Sequence, residues 1–157
     1  MTLAHTRWLS EHEDTAWRNL TRILVLLPGA LDRQLRDDAG LTHVYYQILA
    51  MLSEQPDNSM RMTDLARLTG TTTSRLSHAV ASLEQRGWVE RRACATDKRG
   101  QIARLTETGM TIVEEAAPGH VTEVRRLIFD HLTPEDISHL QSITGKIMPL
   151  LTDGPGQ

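Results

Sequence analysis

With a single cysteine, Cys94, in 157 residues, the chain cannot build an intrachain disulfide framework, and its fold must rest on an apolar core. A lone thiol suits a reducing compartment, so a cytoplasmic protein is expected. Aromatic residues make up only 4%, too few to expect an aromatic-lined enzyme cleft. Long apolar runs are also missing. One of the two longest, Ile23 to Leu27, stops at Pro28-Gly29, far short of the roughly 20 residues a bilayer helix needs, so no membrane association is expected. Met1 to Arg7 hold no apolar stretch followed by a cleavage site, so no secretory signal is expected. No Gly-rich phosphate loop occurs, and no Ser/His/Asp or Cys/His pair has support in the sequence. Catalysis is therefore not expected.

What is present fits one domain, 1–157, of an ordinary soluble protein, 39% hydrophobic and 24% charged. The net charge of −3 argues at first against a polyanionic partner, but its distribution argues for one. Residues 61–106 hold nine Arg/Lys against four Asp/Glu, a net of +5. The remainder holds eight basic and sixteen acidic residues, a net of −8. A basic island in an acidic protein orients the molecule on nucleic acid.

The apolar spacing predicts a mainly helical chain. Trp17, Leu20, Leu24, Leu27, Leu31 and Leu35 recur at intervals of three and four, and Ile23, Leu26 and Ala30 widen that face. The helix ends at Gly40, with a kink expected at Pro28. Thr42 caps a second helix with Val44, Tyr45, Ile48, Leu49 and Leu52 on one side, and Pro56 to Ser59 break it. Thr63 is expected to cap a short helix, Asp64 to Leu68, and Gly70 to make a turn. Thr72 then caps a helix reaching Arg86. A hairpin follows, and Thr106 caps a long helix expected to break or bend at Pro118-Gly119. Thr133-Pro134-Glu135-Asp136 starts the last helix. Residues 42–106 thus form a helix-turn-helix with a hairpin wing. The helices of 8–38 and 107–152 carry more apolar surface than their own neighbours can cover, and a second subunit is the natural sink.

On the 72–86 helix, Leu76, Ala79, Val80 and Leu83 must face the core. Ser74, His78, Ala81 and Gln85 lie opposite, flanked by Arg75, Ser77 and Ser82. Small residues let a helix backbone sink into a major groove about 12 Å wide, where Arg75 and His78 can donate to purine edges. Thr72, Thr73 and the free amides of the first turn suit phosphate oxygens. The strands Trp88 to Arg92 and Gln101 to Thr106 flank a basic turn of small residues. Arg99 at its tip can enter a minor groove. Asp97 would repel phosphate, so its expected task is internal: to accept hydrogen bonds from Arg99 and hold it in place. Arg91, Arg92 and Arg104 can face the flanking backbone.

These residues resemble the MarR (multiple antibiotic resistance regulator) family. Asp97-Lys98-Arg99 followed by Leu105-Thr106 matches the family's wing signature. Leu65-Ala66, Gly70, Ser77, Leu83-Glu84 and Gly87-Trp88-Val89 match its helix-turn-helix frame. The resemblance implies a winged-helix homodimer whose N- and C-terminal helices interlock. It also implies a palindromic double-stranded DNA operator, usually repressed and often released by a small, frequently aromatic effector or by oxidation. Thr72, Thr73, Ser74, Arg75, Ser77 and His78 would meet the major groove, and Arg99, set by Asp97 and beside Lys98, the minor groove. Trp17, Tyr45, Tyr46 and Met51 are the candidates for an effector cleft, with core packing as the competing role. The rival reading is a winged-helix module that docks proteins without DNA sequence specificity.

Seven histidines invite a metal reading, but His131 and His139 are eight apart across a helix cap, and His120 has only Glu123 nearby. No metal or other cofactor is expected. Arg91 and Arg92 near Cys94 favour a thiolate, yet relatives that sense oxidants generally use a cysteine nearer the N-terminal helix, where this chain has none. Met60 and Met62 read as packing residues.

Overall fold

The computed structural model describes residues 6–94 and 100–152. Helix α1 runs Glu11–Ala39, and its start is a capping box: the Ser10 hydroxyl accepts the Glu13 N–H while the Glu13 carboxylate accepts the Ser10 N–H. It ends at Gly40, whose φ of 64° is the left-handed conformation that glycine adopts without strain. Thr42 caps α2, His43–Ser53, by accepting the Tyr45 N–H at 3.2 Å. Strand β1 (Ser59–Arg61) leads directly into α3 (Met62–Leu68). A turn through Gly70 then reaches α4, Thr73–Gln85, capped by Thr72. Strands β2 (Val89–Ala93) and β3 (Gln101–Leu105) form the hairpin, and Thr106 caps α5, Glu107–Leu127. A short 3-10 turn, Phe129–His131, precedes α6, Pro134–Thr152.

This is the expected mainly α winged helix-turn-helix, with long terminal helices and a small sheet in the order β1-β3-β2. Both pairings are antiparallel, Met60 opposite Ala103 and Arg91 opposite Ala103 from the other side. Leu35, Leu41, Ile48, Leu49, Leu52, Leu65, Leu76, Val80 and Leu83 form one core, closed beneath by Val89, Ala103 and Leu105 from the sheet. Met60 and Met62 pack against it, as expected.

Four expectations are corrected. Thr63 does not cap α3. The helix starts two residues earlier, behind Arg61, because β1 pairing with β3 delivers an extended backbone straight into the first turn, with no side-chain cap. Pro118 does not break α5, which is continuous through it. On α2, Val44 is exposed and Tyr46 is buried in its place, turned toward α5. Finally, Ser59–Arg61 is a strand, whereas the sequence predicts only the end of a helix at Pro56 to Ser59.

Among the described residues, α6 buries none of its side chains. Ile143, Ile147, Met148, Leu150 and Leu151 stand exposed along it, as do Trp17, Ile23, Leu24, Val25 and Leu26 on the first half of α1. The core of this chain takes up only the C-terminal half of α1, through Leu31 and Leu35.

Candidate nucleic-acid interface

Helix α4 is amphipathic as its spacing dictates. Leu76, Val80 and Leu83 are at most 1% exposed, while Ser74, Arg75 and His78 are exposed on the other side and Thr72 and Thr73 at the helix start. The Thr72 hydroxyl accepts the Arg75 N–H at 3.2 Å, which leaves the other first-turn amides for an incoming acceptor. A notch of about 300 Å³, lined by Arg61, Thr63, Thr73, Ser77, Gly100 and Gln101, separates this helix start from the base of the wing. The hairpin closes there, with the Cys94 N–H donating to the Gly100 carbonyl at 2.9 Å. Asp97, Lys98 and Arg99 lie outside the described residues, so the proposed Asp97–Arg99 contact does too. Cys94 is buried at the hairpin base.

Several cations of the basic island are occupied within the chain. Arg92 and Arg104 share the Glu90 carboxylate, at 2.6 and 3.7 Å. The Arg86 guanidinium lies 4.9 Å over the Trp88 ring and 5.7 Å from the centre of Tyr45. Arg91 is turned inward, its guanidinium on Glu84 at 2.7 Å and 3.4 Å from the Ser77 hydroxyl. Ser77 is correspondingly half-buried, unlike its neighbours Ser74 and His78. Seven-residue spacing brings Ser77 and Glu84 onto one face of α4, but only the fold shows that Arg91 lies across both.

The candidate effector residues separate. Tyr46 is buried, Tyr45 is held under Arg86, and Met51 packs against the core. Trp17 is exposed, fourteen residues before Leu31 and so about 21 Å further along α1. The sequence did not single out the residues that surround Tyr46. Its ring meets His120 of α5 with centroids 4.4 Å apart, and His43 lies 5.9 Å from His120. The Asp32 carboxylate accepts the His43 N–H at 2.9 Å. Gln34 Oε1 and His120 Nδ1 are buried without a hydrogen-bond partner, so the α1–α5 seam holds two polar atoms whose hydration the protein does not replace.

Burial pushes the His43 imidazole below its ordinary value, partly offset by Asp32. Burial, then the neighbouring His43, does the same to His120. The unfolded chain therefore binds protons that the folded chain refuses. The contribution is intact above about pH 6.5 and is lost as pH falls through the window down to the depressed folded values. Thermal melts should show lower stability at pH 5.5 than at 7.5, and His120→Gln should narrow that gap. An unchanged gap would remove His120 from the account.

Comparisons with known proteins agree with this geometry. The MarR family model matches residues 39–100. Sco3205, a MarR family transcriptional regulator from Streptomyces coelicolor solved in complex with DNA, is 48% identical, with a TM-score of 0.86, over 92% of this chain and 91% of that one. AbsC, a MarR family transcriptional regulator from the same organism, is 40% identical with a TM-score of 0.87, covering 95% and 100% of the two chains. The transcriptional repressor MprA of Escherichia coli (strain K12) is 26% identical over 147 residues, 90% of this chain and 83% of that protein. With relatives 48% and 40% identical that share this fold over more than nine-tenths of its length, the chain belongs to the MarR family of DNA-binding transcriptional regulators, which are not enzymes.

Proposed function

We propose that the protein is a homodimeric repressor that reads a palindromic operator and is released by a small-molecule effector. The observation that carries the reading is the row Ser74, Arg75 and His78, exposed opposite the buried face of α4, with Thr72 and Thr73 exposed at the helix start beside the base of a hairpin. Such a row fits a major groove, and Arg99 with Asp97 and Lys98 would then reach the adjacent minor groove. Ser77 would act from beneath rather than at the bases. Residues 42–106 would form the DNA-binding part, and 8–38 and 107–152 the pairing part, of a single domain working in the cytoplasm.

The uncovered apolar faces of α1 and α6 support the dimer. Two-fold symmetry sets the reading helices about 34 Å apart, one turn of duplex, which is why the operator would be an inverted repeat. The unpartnered His120 atom beside Tyr46, with that of Gln34 in the same α1–α5 seam, favours an effector seated near α2 rather than at Trp17. Its expected class is a small aromatic compound.

The test is capture of fragmented genomic DNA by the purified protein, followed by sequencing of the bound pieces. An inverted repeat should emerge, with affinity falling steeply as salt rises; no preference over bulk competitor overturns the reading. Arg99→Ala should weaken operator binding by about 1–3 kcal/mol with the dimer intact. Unchanged affinity would take the wing out of the groove.

A further inference from the structure

The Glu84 carboxylate takes two hydrogen bonds and an ion-pair contact from one residue. Its Oε2 accepts from Nε of Arg91 at 2.7 Å and lies 2.7 Å from Nη2, and its Oε1 accepts the Arg91 backbone N–H at 2.9 Å. Arg91 continues along α4 to the Ser77 hydroxyl, 3.4 Å from Nη1 and two helical turns from Glu84. β2 is an edge strand, paired only with β3, so its outward N–H groups have no strand partner. Glu84 supplies that partner from the reading helix itself. Both side chains are only 28% exposed, which shields the pair from screening by solvent and salt.

The first joint between helix and wing is the turn at Gly87, where φ is 73° and the Trp88 N–H donates to the Leu83 carbonyl. A glycine turn alone can pivot. From Gly87 to the end of β2 is about 20 Å of strand, so a swing of roughly 10° would carry the wing about 3 Å sideways. That exceeds the tolerance of any hydrogen bond. Val89, two residues beyond the glycine, is fixed in the core, and the attachment at Arg91 holds β2 where the strand leaves the core for the wing.

We infer that Glu84 and Arg91, with Ser77, are positioning residues that lock the wing at a fixed angle to the reading helix, so that helix and hairpin meet their two grooves as one rigid body. Arg91 is therefore a brace and not a phosphate contact. The inference rests on the DNA-reading proposal above and assigns a task to three side chains of that interface that touch no base.

Charge makes the test discriminating. Removing an acid from a DNA-binding face should by electrostatics alone tighten binding to any duplex. Positioning demands the reverse for the operator. Wild type, Glu84→Gln, Arg91→Gln and the double variant are compared on operator and on random duplex across a salt series, with thermal melts to establish folding. Each single variant should lose about tenfold in operator affinity, with Glu84→Gln equal or tighter on random duplex. The double variant should lose no more than the worse single, since each removes the same brace. The salt slope of Arg91→Gln should match wild type, whereas loss of a phosphate contact lowers it by about one unit. If Glu84→Gln does not fold, Arg91→Lys carries the test, because it keeps the charge and loses the fork that spans Glu84 and Ser77.

Undiminished operator affinity in Glu84→Gln, multiplicative losses in the double variant, or a reduced slope in Arg91→Gln each overturn the inference. A wild-type chain with no operator preference instead overturns the DNA reading on which it stands.

Discussion

Alanine in place of Gly109 is expected to destabilise the chain by about 3 kcal/mol, near the top of the range for overpacking a rigid contact. Gly109 sits in the first turn of α5, where the helix crosses the link between α4 and β2. A Cβ there would overlap the Trp88 carbonyl oxygen and approach Leu105 Cδ1 to 2.7 Å. The obstacle is backbone, and it is held. The Trp88 carbonyl accepts the Thr106 N–H at 3.0 Å, and the Thr106 hydroxyl donates to the Gly87 carbonyl at 2.7 Å while accepting the Gly109 N–H at 3.0 Å. Relief requires breaking that knot or lifting α5 off the core at Val113 and Ala116. A fall of about 6–12 °C in melting temperature corresponds to this cost. A melt within a degree or two of wild type would mean the crossing is looser than described. Any folded remainder should also bind DNA poorly, since the displaced backbone is the Gly87–Val89 turn from which the wing springs.

Ile147→Asp is the second substitution expected to have a large effect. Ile147 is 41% exposed on a helix that buries nothing within its own chain, so by itself the change should leave the protomer's core untouched. If α1 and α6 pair across a two-fold axis, the symmetry places the carboxylate in the interface twice. Each unpartnered charge costs several kcal/mol to desolvate. Sedimentation should then show a monomer at concentrations where wild type is a dimer, and operator affinity should fall more than a hundredfold as the two half-sites cease to be bound together. A variant that sediments like wild type would dismiss this face as the interface, and a monomeric wild type would dismiss the dimer altogether.

The sequence made α4 legible because its apolar positions, its Thr72 cap and the glycine beyond it all specify the same helix. The long helices were legible for the same reason. Strand β1 was not: Ser59, Met60 and Arg61 show no alternation, and they are extended only because β3, some forty residues later, pairs with them. Val44 and Tyr46 exchanged places because both flank the apolar stripe of α2, and contact with His120 decides between them. That contact joins positions 46 and 120, a separation no local pattern reports. The basic island was visible as a sum of charges, but not which cations were already taken. Arg91 looked as free as Arg75 until Glu84 was seen against it, because a pair that bridges a helix and a strand has no signature along the chain.

The bare last helix has a consequence for dosage. A segment that finds its cover only on another copy makes the ordered population depend on how many copies are present, because association follows mass action. If α6 is covered by a second copy, then below the dissociation constant the chains would be unmatched halves with exposed apolar flanks, open to proteases, and above it a complete dimer. The abundance of the regulator in the cell would thus act as a threshold on its own competence, set by the same apolar stripe that α6 leaves open.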